Sequence, residues 1–219
     1  MPTDSPSRQA APNGARLAPS KDELATLPPF QGLTLSQIEV PATRPQFEAA
    51  ARDILTAGVV GFDTESKPTF APGEVSTGPH VLQFALESRA YIFQIHHDQS
   101  HDLLIELLHS TALVKVGFGL ASDRGQIQSR LGLPLRAVLD LNTLFRGDGY
   151  RSSMGVRGAV GLLFGQRFLK SKKVTTSNWA LPQLNGSQLL YAANDAWAAL
   201  QVLRALHRPR AEWPVEGLR

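Results

Sequence analysis

The sequence predicts an α/β fold, a mixed sheet of about five strands flanked by helices, and three observations carry the prediction. The chain has 219 residues of which 42% are hydrophobic, enough to bury one good-sized core at a length that single α/β domains commonly reach. Short β-branched and aromatic runs dominate its first half, "VVGFDTES", "HVLQFALES" and "AYIFQIH" among them. Helix-period segments then alternate with the remaining strand-like runs, and strands first with helices interleaved later give a mixed sheet.

Met1 to about Ser20 is rich in Pro, Ser, Ala and Gly without apolar periodicity. It cannot repay the entropy of ordering, so residues 1–20 are expected to form a disordered tail and 21–219 a single domain. An organelle transit peptide is the functional alternative, but nothing in the segment forms an amphipathic helix. "LTLSQIEVPATRPQFEAAARDILTAG" reads as a short strand, a Thr43 cap and a helix with Phe47, Ala50, Ile54 and Leu55 on one face, closed by Gly58. "VVGFDTES" is the next strand, "HVLQFALES" and "AYIFQIH" a hairpin pair, and "HDLLIELLHS" a short helix. "ALVKVGFG" is a strand, "SDRGQIQSRLG" a helix, "RAVLDLNTLF" a strand running into a helix, and "MGVRGAVGLLFG" another helix. A last long helix from about Gly186 to His207 carries Leu190, Ala193, Trp197, Leu200 and Leu203 on its apolar face. No internal repeat is visible.

The chain has no cysteine, so any metal must be held by oxygen or imidazole. No apolar run approaches the length of a membrane span, and the first residues lack the apolar core of a secretory signal. A soluble, cytoplasmic protein is expected. The formal charge is +3, but acids gathered around metal would leave the rest of the surface more basic, which suits an anionic polymer as partner.

Residues two apart on a strand share a face, so Asp63 and Glu65 in "VVGFDTES" converge on one small volume. A strand end reaching water with two solvated acids is the ordinary alternative. Asp123, in "KVGFGLASDRGQI", follows a glycine-rich strand end, where an acid is also a routine helix cap. Tyr191 and Asp195 stand four apart in "LLYAANDAWAAL", on one helix face continued by Ala198 and Val202.

Taken together, these motifs resemble the DEDD superfamily of 3′-5′ exonucleases in its tyrosine subclass, closest to the ribonuclease D and Werner exonuclease-domain branch. "GFDTES", "GPHVLQFAL", "VGFGLASD" and "KVTTSNWALPQLNGSQLLYAANDAWAAL" carry the resemblance, which spans roughly Leu33 to His207. It implies a ribonuclease H-like fold and hydrolysis of phosphodiester bonds from the free 3′ end of DNA or RNA, with release of nucleoside monophosphates. It also implies two divalent ions, about 3.5–4 Å apart, that activate water and stabilise the leaving oxygen. By resemblance Asp63 bridges both ions, Glu65 and Asp195 complete the water-activating site, Asp123 holds the second ion through water, and Tyr191 orients the water. Oxygen-only ligands favour Mg²⁺ or Mn²⁺ over zinc. Asn194 and Trp197 are then helix neighbours, not ligands. Ser66, followed by Lys67 and Pro68, stands where Werner-type domains usually carry an aromatic after the motif glutamate; Phe62 or Phe70 is the substitute considered for stacking the terminal base.

"GQRFLKSKKVTTSNW" concentrates Arg167, Lys170, Lys172 and Lys173 before Ser177, Asn178 and Trp179, a mix suited to phosphate contact, with a solvated basic loop as the alternative. Together with Thr64 these are the expected substrate-binding residues. A dinucleotide-binding reading of "GFGLAS" with Asp140 fails at the third glycine, which is Ser122, and leaves the acids unexplained. His96, His97 and His101 suggest a zinc site only without any recognised acid beside them. The rival from another class is a catalytically silent nucleic-acid-binding domain of the same fold. Oligomeric state is not fixed by the sequence.

Overall fold

The structure, a computed structural model, describes residues 16–69 and 73–218. Six strands form one sheet in the order β1-β4-β3-β2-β5-β6: β1 (Ile38–Glu39), β2 (Val59–Glu65), β3 (Val81–Ala85), β4 (Ala90–Gln94), β5 (Val114–Gly117) and β6 (Val138–Asp140). That is one more than the expected five, and the edge strand β1 is only two residues long. β2, β3 and β4 run antiparallel to one another in sequence order, while β1 joins β4, and β5 and β6 join β2, in parallel. The sheet is therefore mixed, with β3 and β4 paired as the hairpin predicted.

The helices are α1 (Lys21–Ala25), α2 (Arg44–Ala57), α3 (His101–His109), α4 (Ala121–Leu131), α5 (Leu141–Gly147), α6 (Gly155–Phe164), α7 (Lys172–Thr175) and α8 (Gly186–Ala205). Sequence chemistry sets several boundaries. Gly58 and Gly132 end α2 and α4 in the left-handed conformation that favours glycine. Asn185 caps α8 by accepting from the Gln188 amide at 3.1 Å. Residues Met1–Ala15 of the expected tail, and Phe70, lie outside the described residues. Arg16 bridges to Tyr150, and Ser20 caps α1, so the last part of the expected tail is placed against the domain.

Strand alternation divides the core. Phe62, Leu82, Phe84 and Phe93 pack with Phe47, Ile54 and Leu104 on the α2 and α3 side, while Val81, Ala85 and Ile92 pack with Ala192, Ala193 and Ala196 of α8 on the other. The sequence suggested an apolar face and a second stripe through Ala198 and Val202 for α8. In the structure that stripe is buried, and Ala192, Ala196 and Ala199 with it, because the helix lies between the sheet and α6. Lys115 of β5 is fully buried; its ammonium donates to the Leu107 and Ser110 carbonyls at 3.1 and 2.8 Å, where α3 ends, and burial pushes it down to about 7.

Candidate active site

β2 pairs with β5 only over Val59–Gly61 but with β3 as far as Glu65. Asp63, Thr64 and Glu65 thus project past the end of β5, in the crevice at the carboxyl ends of parallel strands where α/β sheets place their sites. Alternation then sorts the motif. Asp63 and Glu65 share the face that carries Gly61, towards α8, while Thr64 points the other way and its hydroxyl donates to Asp123 at 2.5 Å. Asp123 is held in the first turn of α4, immediately after β5 and its glycine turn. The amides of that turn, Gly119 and Leu120, donate to the Asp140 carboxylate at 3.1 and 3.2 Å. They are spent on the fold, which removes the phosphate cradle that a dinucleotide site requires.

α8 supplies the third wall. A Cβ on Gly61 would lie 1.9 Å from the Ala196 carbonyl oxygen, so only glycine lets the helix backbone rest on β2 here. The neighbouring residue, Asp195, is thereby brought to Asp63 and Glu65, and ligand oxygens of the three carboxylates lie within 4.8 Å of one another. Among the described residues this is the sole such grouping of acids and histidines; His96, His97 and His101 form none. Lys170 Nζ makes an ion pair with Asp195 and sits 5.6 Å above the Tyr191 ring. Tyr191 lies one turn before Asp195; its hydroxyl accepts from Thr175 at 3.1 Å, and Trp179 backs its ring at 5.9 Å.

Burial raises every acid of the cleft, and crowding of like charge adds to it at Asp63 and Glu65. Burial first, then Asp195, Asp123 and Glu65, hold Asp63 well above the ordinary carboxylate value. Burial and Asp195 push Glu65 up to about 8. Burial raises Asp123 against the pull of the Thr64 hydrogen bond, and raises Asp195 against Lys170. Burial alone would lower Lys170, but Asp195, Tyr191 and Asp63 outweigh it and raise the ammonium, keeping it charged. Burial and Asp195 raise Tyr191, opposed by Lys170 and Thr175, so the phenol stays protonated at neutral pH. Four clustered acids faced by one lysine favour a bound cation, and the convergent donors are carboxylate oxygens, which suit a hard divalent ion.

The residues singled out from sequence divide into groups. Asp63, Glu65, Asp195 and Tyr191 come together; Asp123 stands beside them, outside the three-acid grouping. Thr64 orients Asp123 rather than facing a ligand. Trp179 is corrected: it is fully buried, with its indole N–H donating to the Thr175 carbonyl at 3.3 Å, so it supports Tyr191 and cannot touch a strand. Asn178 is exposed, and its side chain accepts from the Ala180 amide at 3.0 Å in a local turn. Lys172 borders the groove beside Tyr191, whereas Lys173 faces a different groove with Asn185 and Gln188. Phe62 is fully buried against Phe84 at 5.3 Å between ring centres and cannot stack a base. Ser66 donates to Gln126 at 2.5 Å, tying the strand end to α4.

Two features are absent from the sequence reading. Lys170 is expected there as a phosphate contact, and its pairing with Asp195 has no local signal. Gln83 lies directly across β3 from Asp63 on the α8 face; it is fully buried and neither end of its amide has a hydrogen-bond partner. A glutamine inside the apolar run "HVLQFAL" was the available clue.

The family model described as 3′-5′ exonuclease matches residues 38–209. The chain is 29% identical over 150 residues to the bifunctional 3′-5′ exonuclease/ATP-dependent helicase WRN of Mus musculus, covering 68% of this chain and 11% of that protein. It is 28% identical over 157 residues to a 3′-5′ exonuclease of Arabidopsis thaliana, covering 71% and 54%. The chain thus spans about half or less of the length of these curated relatives. Among solved structures, the Nibbler EXO domain of Aedes aegypti superposes with a TM-score of 0.67 at 24% identity over 80% of this chain and 90% of its own. The Trypanosoma brucei RNase D complex with RNA U12 gives 0.68 at 18%, covering 89% and 67%. No helix among the described residues is long and apolar enough to cross a membrane.

Proposed function

The chain belongs to the 3′-5′ exonuclease family, and on that premise we propose that it is a metal-dependent exonuclease acting on DNA or RNA with a free 3′ end and releasing nucleoside monophosphates. The observation that carries the proposal is the convergence of Asp63, Glu65 and Asp195 within 4.8 Å beside a tyrosine. Those three carboxylates, with Asp123 alongside, would hold two divalent ions, Mg²⁺ or Mn²⁺ by the oxygen-only donor set. When bound, such ions supply a nucleophilic oxygen at neutral pH and stabilise the leaving 3′-oxygen.

The chain's own groups do the rest. Thr64 fixes Asp123 from below the strand, so the fourth acid does not swing. Tyr191, protonated and held by Thr175, can hydrogen-bond an attacking water and set its direction, but is a poor base with its pKa raised above 10.0. Lys170 neutralises Asp195 and supplies positive charge where an anionic strand must approach. Recognition through the backbone suits an enzyme that must accept whatever base comes next. A cytoplasmic location accords with such a substrate.

The test is digestion of end-labelled single strands of DNA and RNA with Mg²⁺ or Mn²⁺. Stepwise shortening from the 3′ end is expected, abolished by chelation and by Asp63→Ala or Asp195→Ala in folded protein. Efficient cutting of a closed circular strand, or full activity in both variants, would refute the proposal.

A further inference from the structure

A second cavity, of about 300 Å³, lies behind Lys170 and is lined by Lys21 of α1, Arg157 of α6, and Arg167 and Lys170 of the segment leading to α7, with Leu24 and Phe168 among its apolar walls. Four basic residues from three separate parts of the chain line it, and no acid does. Among the described residues Lys21, Arg157 and Arg167 enter no salt bridge, and the head of Lys170 is turned away to Asp195. Each guanidinium is aimed by a backbone carbonyl: Arg157 donates to Lys170 O and Arg167 to Ala25 O, both at 2.8 Å. Arg167 Nε is buried with no partner. Lys21 and Arg167 face no acid across the cavity, Arg157 and Lys170 share only Asp195, and a buried donor without an acceptor beside them calls for an oxyanion.

Position says which one. Lys170 also lines the smaller cavity, about 270 Å³, that contains Asp63 and Asp195, and Arg157 and Lys170 both border the groove beside Tyr191. The basic cavity and the acid site therefore share Lys170 as a lining residue. On the exonuclease reading the strand ends at the acid site on its 3′ side, so the next phosphate can lie only on the 5′ side. We propose that the Lys21–Arg157–Arg167 cavity binds a phosphate of the substrate strand on the 5′ side of the bond being cut. This rests on the function proposed above, and it extends phosphate contact to two residues, Lys21 and Arg157, outside the basic cluster of residues 167–173.

The experiment compares wild type with Lys21→Gln and Lys21→Gln/Arg157→Gln, both positions being exposed. Substrates are a single-stranded oligonucleotide and a nucleoside 5′-p-nitrophenyl phosphate, which has one phosphodiester and no upstream phosphate. The double variant should raise KM for the oligonucleotide by about tenfold through the lost charge-assisted contacts. Lys21→Gln should raise it less and leave hydrolysis of the nitrophenyl ester unchanged. A neutral methylphosphonate at the linkage 5′ of the scissile bond should cost wild type a similar factor and the double variant little more. Unchanged oligonucleotide KM, or a methylphosphonate loss as large in the variant as in wild type, overturns the proposal. Inorganic phosphate that alters nitrophenyl ester hydrolysis in wild type but not in the double variant, while oligonucleotide KM is the same in both proteins, would identify a free-phosphate site and also overturn it. If wild type cleaves neither substrate, the exonuclease reading fails separately, and oligonucleotide binding in EDTA decides the cavity: affinity must drop in the double variant or the site is refuted.

Discussion

Replacing Gly61 by alanine would set a Cβ 1.9 Å from the Ala196 carbonyl oxygen, 2.6 Å from its carbon and 3.3 Å from the Ala85 Cβ. Ordinary contact begins near 3.4 Å, so β2 and α8 must part by about 1.5 Å at that point. The atom met is backbone, which cannot rotate aside as a side chain would. Overpacking of this kind costs about 1–3 kcal/mol, occasionally more, and with a rigid partner the upper part of that range is expected. The displacement also reaches the site, because Asp195 adjoins Ala196 and Asp63 is two residues from Gly61. A misplacement of about 1 Å can cost about 100-fold in rate. Urea denaturation of metal-free protein should show the lower midpoint, and Mn²⁺ titration with single-strand turnover the weakened site. A Gly61→Ala protein with wild-type midpoint and wild-type turnover would refute the claim that the glycine gap sets the distance between helix and strand.

Tyr191→Phe should lower turnover by roughly 10- to 1,000-fold, as loss of one positioning hydrogen bond implies, with Mn²⁺ affinity near normal by calorimetry; Asp195→Asn should weaken both, and equal loss of metal in the two variants would sink the assigned roles. In EDTA the folded state binds protons at Asp63, Glu65, Asp123 and Asp195 more tightly than the unfolded chain does. Stability is therefore highest on the acid side of this window and falls as pH rises, for Glu65 between 4.5 and about 8. Thermal melts should show Tm falling across that range and Mg²⁺ or Mn²⁺ restoring it at the alkaline end; a Tm that rose with pH in EDTA would contradict the site electrostatics. Lys170→Met should destabilise the metal-free protein more than the metal-loaded one, because a bound ion replaces the lost charge beside Asp195; equal destabilisation in calcium- or magnesium-saturated and chelated samples would refute the pairing.

The features that repeat along the chain were legible in the sequence. Alternation in "VVGFDTES" placed Asp63 and Glu65 on one face, and the four-residue spacing placed Tyr191 with Asp195, since both follow from backbone period alone. Features that depend on what arrives from elsewhere were not. Lys170 reaches Asp195 across 25 positions of sequence, and nothing near either residue announces the pair. Trp179 sits among Ser, Asn and Thr, which made it look superficial, yet the cover of α7 and α8 buries it completely. The spacing places Ala193 and Ala198 of α8 on its packed faces, but only the closeness of the sheet shows that the small size of the alanines lets the helix lie flat. β1 is expected from the sequence as a short strand before Thr43, and the structure keeps only two residues of it, Ile38–Glu39.

The run Val59–Glu65 also explains why the site can exist at all without metal. Its glycine admits the helix that brings Asp195, its phenylalanine anchors the opposite face in the core, and its threonine holds Asp123, so each alternate position serves a different neighbour. The cost of this arrangement is electrostatic: every acid it gathers has its pKa raised, which means that the folded state resists their ionisation. Proton uptake and the Lys170 ammonium offset that cost in the metal-free protein. Both are cationic substitutes that a divalent ion can displace, so the acids are held in place before the ion binds. The same lysine lines both the acid site and the basic cavity, so its displacement from Asp195 would add one more positive charge to the wall that, on the proposal above, a phosphate meets.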